Sequence, residues 1–216
     1  MATLTSDHHS DTQRLEAFSD GVFAIAITLL IIEVGVPEVH AGESLAGALR
    51  ELWPSYVGYV VSFLTIGVMW MNHHQMFRDI ERTDHTLTVL NLLLLMGVAF
   101  VPFPTALVAQ YLREDSEQRL AATLAFGGTF TVLAVIFNLL WLHASRWGKL
   151  LDEHVSASRI RSRTLRYLPG AALYGVTLPL AFITPWISLA ISAALAAFYL
   201  LPYEGVTANA GDGEDT

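Results

Sequence analysis

The sequence predicts an all-α integral membrane protein with six transmembrane helices. Hydrophobic residues make up 53% of its 216 residues, charged residues only 15%, and the mean hydropathy is +0.47. A water-soluble domain needs about 25% charged residues to cover its surface. Here long apolar windows of about 20 residues recur, the length that crosses the hydrocarbon core of a bilayer as a helix. The predicted spans are 17–36, 52–72, 87–111, 120–143, 167–183 and 186–203.

Two features of these windows decide how the chain crosses. The strands of a membrane β-barrel alternate apolar and polar residues. Residues 92–101 and 129–140 are instead apolar at both even- and odd-numbered positions, so helices are predicted. Only Thr184 and Pro185 separate the last two windows, which indicates a tight helical hairpin. A single kinked or re-entrant segment remains an alternative for that pair.

Charge predicts the orientation of the spans. Arg50, Arg113 and Arg119 lie on one side of the predicted membrane, and all the other Lys and Arg residues lie on the opposite side. Cytoplasmic loops carry the excess of Lys and Arg, so both termini are expected in the cytoplasm of a multi-pass cell-membrane protein. The segment before the first span is acidic rather than basic, which argues against a cleaved signal peptide. We expect a transmembrane domain over 14–204, with disordered cytoplasmic tails at 1–13 and 205–216.

Composition also excludes several classes of function. The formal charge of −8 argues against a nucleic-acid partner, because phosphate binding needs clustered Lys and Arg on an exposed face. The chain has no cysteine, which excludes disulfides, thiolate metal sites and Cys nucleophiles.

A charged segment at the start of the first span is the unusual feature of the sequence. Asp20 lies inside or at the edge of the membrane, where an acidic group costs free energy unless it has a partner. The second span returns to the same side, so Trp70 and the histidines after it lie level with Asp20 and can offer N–H donors. A simple helix cap at Ser19 or Asp20 is the alternative. The predicted polar network comprises Arg14, Phe18, Ser19, Asp20, Trp70, Asn72, His73 and His74.

The adjacent histidines His73 and His74 allow three interpretations. They can belong to a structural polar network, to a proton-handling pair with Asp20, or to a metal site. Neighbouring helix residues point about 100° apart, and no HExxH motif accompanies them, so we expect no metal site.

An aliphatic stripe follows on the first helix. Ile25, Thr28, Leu29 and Ile32 recur at the spacing of one helical face, and Asp20 faces away from it. If Asp20 packs against the second span, the stripe points toward lipid, toward another core helix, or toward a symmetry axis. From the residues alone, a core position is the ordinary interpretation of such a stripe.

Two motifs resemble those of a known family. The string at Arg14, Phe18, Ser19 and Asp20, and the Trp-x-x-His-His-x-x-Phe string that begins at Trp70, are similar to those of bacterial members of the endolysosomal potassium channel family. That resemblance implies a cation channel whose pore is lined by the first helix and closed by bulky aliphatic side chains. It assigns the main constriction to Ile25, outer apolar layers to Leu29 and Ile32, and a pore-lining hydroxyl to Thr28.

The resemblance also implies an assembly. Animal relatives carry the unit twice, whereas one Phe-Ser-Asp string occurs here, so a homotetramer is expected. The expected partners are the lipid bilayer, potassium and other monovalent cations, with no cofactor beyond permeant K⁺. Ala24 stands where animal relatives have Ser beside the constriction, so modest potassium selectivity is expected. The alternative function is a proton-coupled secondary transporter that uses Asp20 and His73 or His74; no catalytic motif predicts an enzyme.

Overall fold

The computed structural model describes the backbone of residues 2–200 and the side chains of residues 11–199. Within this part of the chain the protein is all-helical, with one isolated antiparallel bridge between Ile80 and Leu151. The helices are α1 (Ala2–Leu29), α2 (Leu45–Glu51), α3 (Trp53–Phe77), α4 (His85–Phe100), α5 (Pro102–Tyr111), α6 (Ser116–Leu142), α7 (Ala157–Ile183) and α8 (Pro185–Leu200).

Four helical segments are long and apolar enough to cross a membrane: Asp11–Val34, Trp53–Phe77, His85–Tyr111 and Ser116–Trp147. They correspond to the first four predicted spans. The first turns of α7 carry arginines, and α8 has only 16 residues, so neither meets the same criterion of length and composition. An all-helical fold with membrane-length apolar segments is therefore confirmed for the described residues, whereas the count of six spans stays a prediction.

The ends of α1 differ from the predicted boundaries. The helix begins at Ala2, so its first turns fall in the segment assigned to the N-terminal tail. No Gly or Pro interrupts the chain before Gly21, and the backbone of residues 2–13 continues the helix. At the other end α1 tightens into the 3-10 turn Leu30–Val34, and Gly35 then takes a φ of 67°. The predicted domain boundaries and tail disorder stay predictions, and the tail at 205–216 lies outside the described residues.

Prolines mark two breaks between helices later in the chain. Pro102 has no N–H to donate, and the third predicted span is accordingly split into α4 and α5 at Val101. α7 continues through Pro169 and Pro179, then ends at Thr184, whose backbone is extended. α8 starts at Pro185 and packs back against α7, so these two segments form a helical hairpin rather than a single helix.

The segment between the fourth predicted span and the apolar part of the fifth, which carries six Lys and Arg residues, is partly helical. α6 continues into the π-helical turn His143–Trp147. Ser156 is the N-cap of α7, and its hydroxyl accepts a hydrogen bond from the backbone N–H of Arg159. The first turns of α7 therefore carry Arg159, Arg161, Arg163 and Arg166. We call this end of the bundle the basic end.

The core lies between α1, α3, α4, α6 and α7. α1 contributes Phe23 and Ala26, and the 3-10 turn that follows it contributes Leu30; all three are fully buried. α4 and α6 approach closely because Gly97 has no side chain: a Cβ there would lie 2.7 Å from Leu133 Cδ2. The segment that contains α1 lies at the edge of the helical bundle and is the least buried of the four membrane-length segments.

Candidate functional site

One side of α1 carries the polar groups that hold it against α3 and α4. The indole Nε1 of Trp70 on α3 donates a hydrogen bond of 2.8 Å to Oδ1 of Asp20. Asp20 is partly buried and Trp70 is 39% exposed, so the bond lies at the edge of the subunit. It joins two helices at residues far apart in the sequence and fixes which side of α1 faces α3.

A second set of bonds lies deeper and includes a residue that the sequence analysis did not select. Asn91 of α4 lies between His73 and Ser19: His73 Nε2 is 2.9 Å from Asn91 Oδ1, and Asn91 Nδ2 donates to Ser19 Oγ at 2.9 Å. Ser19 in turn donates to the backbone carbonyl of Leu15 at 2.8 Å. All three side chains in this relay are fully buried.

The direction of the relay fixes the protonation of His73. The hydroxyl of Ser19 is used toward Leu15, so it accepts from the Asn91 amide, and the amide oxygen of Asn91 must then face His73. An oxygen acceptor requires a proton on Nε2 of His73. The ring packs between Phe23 and Phe77 at centroid distances of 5.3 Å and 4.3 Å, and its Nδ1 has no hydrogen-bond partner among the described residues.

The neighbouring histidine has a different partner. His74 Nδ1 lies 2.9 Å from Glu16 Oε1, and about half of the His74 side chain is exposed. The His74 ring also stacks on Trp70 at 6.1 Å. The donors on this face of α3 therefore have different partners. Trp70 contacts Asp20, as the sequence predicts, whereas His73 contacts Asn91 and His74 contacts Glu16.

Three predicted network residues lie outside these contacts. Arg14 and Phe18 are exposed, and neither forms a hydrogen bond or an ion pair with the described residues. Asn72 faces α7 instead of α1, and its backbone carbonyl accepts a hydrogen bond from the Tyr167 hydroxyl at 3.3 Å. Asn72 is one position from His73, which turns it about 100° around α3 and away from α1.

The aliphatic stripe lies on the opposite side of α1 from the buried residues. Ile25 is 61% exposed, Leu29 42% and Ile32 67%, and Thr28 between them is exposed as well. The Thr28 hydroxyl bonds back to the carbonyls of Ala24 and Ile25. The interpretation of the stripe as core of the subunit is therefore wrong, because Phe23, Ala26 and Leu30 occupy that position.

An ion pair at the basic end ties α3 to α7. The carboxylate of Asp79, just after α3, is almost fully buried and lies 3.1 Å from Arg163 and 3.8 Å from Arg159. Arg163 also donates to the carbonyl of Gln75 in the last turn of α3. Burial raises the pKa of the Asp79 carboxyl, and the two guanidinium groups oppose that shift.

A second tie joins α4 to the end of α6. Asp84 caps α4 by accepting from the backbone N–H of Leu87 at 2.7 Å, and it lies 2.8 Å from His143 Nε2 in the π-helical turn. Burial opposes ionisation of Asp84, but the hydrogen bonds from Leu87 and His143 outweigh it and lower the pKa of the carboxyl.

The sequence holds a signal for two of the missed residues, Asn91 and Glu16. Asn91 is the one amide in the apolar stretch of α4, and a polar residue in such a stretch faces a partner helix. Glu16, one helical turn before Asp20, supplies the acid for His74. Among the described residues, no group of three His, Cys, Asp or Glu side chains is arranged to hold a metal ion.

The membrane-length helices and the buried polar contacts between them define a multi-pass α-helical membrane protein. The family model described as "Endosomal/lysosomal potassium channel TMEM175" matches residues 14–102, which include the segments Arg14 to Asp20 and Trp70 to Phe77. A potassium channel of Streptomyces collinus is 47% identical over 190 residues, covering 88% of this chain and 92% of that protein. A potassium channel of Chamaesiphon minutus is 45% identical over 200 residues, covering 92% of this chain and 98% of that protein.

A solved structure has the same fold. The crystal structure of a lysosomal potassium-selective channel TMEM175 homolog from Chamaesiphon minutus matches with a TM-score of 0.80 at 44% identity, covering 88% of this chain and 96% of that chain. The chain belongs to the TMEM175 family of endosomal and lysosomal potassium channels. The predicted family is thereby confirmed, and it is a family of ion channels rather than enzymes.

Proposed function

We propose that this protein is a potassium-permeable cation channel, formed by a homotetramer and gated by a hydrophobic constriction on α1. The names of the similar bacterial proteins, potassium channels matched over almost their full length, support the permeant ion. The single observation that carries the pore assignment is the exposure of Ile25, Leu29 and Ile32 on a helix whose other side is held by buried partners.

The polar contacts argue that this orientation of α1 is fixed. Trp70 holds Asp20 and Asn91 holds Ser19, on two different neighbouring helices. A helix held at two points on one side cannot turn its stripe inward without breaking both bonds. The stripe must then meet lipid or another copy of the chain, and the proposed pore takes the second of these.

An oligomer follows from the need to enclose a path, and the count of four rests on the resemblance to family members that carry the unit twice. One α1 stripe per subunit cannot surround an aqueous pore, so copies must be arranged around a symmetry axis. Aliphatic side chains that converge at Ile25 offer an ion nothing to replace its hydration shell, so the closed constriction excludes water and ions. Opening requires the α1 helices to separate.

Six crossings per subunit are part of the proposal. Trp186 at the start of α8 stacks on Trp53 at the start of α3 at 5.9 Å. Tyr199, near the other end of α8, lines a cavity together with Asn72 of α3. α8 thus runs beside α3 over most of the length of α3, which supports a full crossing. With the arginines of α7 placed in the cytoplasm, both termini are cytoplasmic and the protein resides in the cell membrane.

The proton-coupled carrier has less support. Its proposed pair needs Asp20 beside a histidine, whereas Asp20 is bonded to Trp70, His73 to Asn91, and His74 lies against Glu16. A channel also passes ions at a much higher rate than a carrier, so a measurement of the ion flux per protein distinguishes the two functions.

Substitution of the constriction tests the pore assignment. The Ile25→Asn variant should raise potassium flux into proteoliposomes and weaken discrimination between potassium and sodium, because an amide wets the narrow part of the pore. Ile31→Asn is the matched control, since Ile31 is exposed to a similar degree on the same segment but lies off the stripe. Its flux and selectivity should equal those of the wild type.

Assembly is measured on the same preparations. Mass measurement in mild detergent should show a tetramer for the wild type and for both variants. A folded Ile25→Asn tetramer with unchanged flux and selectivity would remove Ile25 from the conduction path. A clean monomer or dimer that still conducts would contradict the tetrameric pore.

A further inference from the structure

A cavity lies inside the subunit, away from the α1 stripe. It has a volume of about 70 Å³ and lies between α3, α6, α7 and α8. A cavity needs roughly 10–15 Å³ of such volume to hold one water, so this one has room for a small polar group. Most of its lining is apolar, and its polar lining groups include Asn138 of α6 and Arg166 of α7.

Asn138, which lines this cavity, has an unused acceptor. Both N–H groups of its amide are engaged, since Nδ2 donates to the carbonyls of Ala134 at 2.8 Å and Tyr167 at 3.1 Å. These bonds fix the orientation of the amide. Its Oδ1 has no hydrogen-bond partner among the described residues, although the residue is only 8% exposed. A buried acceptor left without a donor is unfavourable, so the site favours a ligand that carries a hydroxyl or another N–H or O–H donor.

Arg166 supplies a positive charge to the same cavity. It is adjacent in sequence to Tyr167, whose carbonyl binds Asn138, and both Arg166 and Asn138 line the cavity. The one hydrogen bond that Arg166 donates within the described residues is a long one, 3.5 Å to the carbonyl of Tyr199. A guanidinium has five N–H donors, so most remain for an anion. Arg166 and Tyr199 are only partly buried, which gives the cavity a mouth between α7 and α8.

We propose that this cavity binds the headgroup of an anionic phospholipid that carries a hydroxyl. The phosphate pairs with the Arg166 guanidinium at the mouth, and the headgroup hydroxyl donates to Asn138 Oδ1 inside. The apolar lining and the position beside the arginines of the basic end suit a lipid at the membrane surface better than a free ion. The site is separate from the proposed pore, and its test does not depend on ion conduction.

Lipid binding to the purified protein in detergent tests this directly. Native mass spectrometry and thermal unfolding are measured with phosphatidylglycerol, with phosphatidylmethanol, which lacks the hydroxyl, and with phosphatidylcholine, which has no net charge. The wild type should bind phosphatidylglycerol most tightly. Arg166→Gln should weaken that binding by about tenfold, the effect of losing one charge-assisted contact. Arg161→Gln, an exposed arginine on the same helix that does not line the cavity, should leave it unchanged.

Further variants and ligands test the hydroxyl contact, the role of Arg166 and the identity of the ligand as a lipid. Asn138→Leu should remove the preference for phosphatidylglycerol over phosphatidylmethanol; if that variant fails to fold, equal binding of the two lipids by the wild type would overturn the role of the hydroxyl. Equal losses in Arg161→Gln and Arg166→Gln would overturn the site in favour of diffuse surface charge. If soluble glycerol 3-phosphate raised the unfolding temperature as much as phosphatidylglycerol does, the proposal that a lipid occupies the cavity would be wrong.

Discussion

The indole of Trp70 and the carboxylate of Asp20 form a 2.8 Å hydrogen bond that joins α3 to α1. Because the bond lies on the side of α1 opposite to Ile25, the same contact that holds the helix also directs its aliphatic stripe outward. Together with the bond from Asn91 to Ser19, this bond holds the orientation on which the proposed pore depends.

Loss of the indole donor should weaken this contact. Trp70→Phe keeps an aromatic ring but leaves Asp20 without its donor, and it should cost about 1 kcal/mol of unfolding free energy at this partly exposed site. Asp20→Ala should cost a similar amount, and the double variant no more than either alone. Thermal unfolding in detergent measures all three, with Trp147→Phe, an exposed tryptophan without a hydrogen bond among the described residues, as the control. Strictly additive losses would mean that the two side chains are not coupled.

Asn91 should be more costly to replace. Asn91→Leu removes the acceptor of His73 and the donor to Ser19 in a fully buried site, so about 2–3 kcal/mol should be lost. Thr88→Val is the control on the same helix, because the Thr88 hydroxyl bonds only to the backbone of Asp84. A larger loss of thermal stability in Thr88→Val than in Asn91→Leu would contradict the relay.

Arg163 should be the most sensitive arginine at the basic end. Arg163→Gln leaves the buried carboxylate of Asp79 short of its nearer cation, and breaking a buried pair in this way costs about 3–5 kcal/mol. Arg161→Gln changes the same charge at an exposed position of α7 and should leave the unfolding temperature nearly unchanged. If both substitutions lowered the unfolding temperature equally, the Asp79 pair would contribute nothing of its own.

Asp84 should make stability depend on pH. Its pKa is lowered in the folded protein by its bonds to Leu87 and His143, so its contribution is present above the ordinary value near 3.8 and is lost as the pH falls through the folded pKa. The wild type should therefore lose stability below about pH 4, and Asp84→Asn should lose less over that range. Asp115→Asn, which alters the cap of α6, controls for the loss of a cap. Unfolding temperatures at stepped pH values give the comparison, and identical pH profiles for the wild type and Asp84→Asn would argue against the assignment.

The sequence was informative where hydropathy or depth decides the structure. Apolar windows located the four membrane-length segments, and the antiparallel course of the first two spans placed Trp70 level with Asp20. Both inferences rest on distance along a helix axis, which a fixed rise of about 1.5 Å per residue converts into depth.

Partners around the helix axis were harder to predict. Asn91 lies on a helix that the depth argument did not consider, and Asn72 faces α7 because one residue of offset turns a side chain by about 100°. The pairing of Asp79 with Arg163 depends on how α7 crosses the end of α3, and no local pattern encodes that crossing.

Single-channel recording of the reconstituted wild-type protein under a potassium gradient tests the central proposal most directly. A channel lined by α1 should give discrete unitary currents that reverse close to the potassium equilibrium potential, displaced toward the sodium potential by modest selectivity. Transport without unitary currents, at a rate that follows the proton gradient, would contradict the channel and favour the proton-coupled carrier.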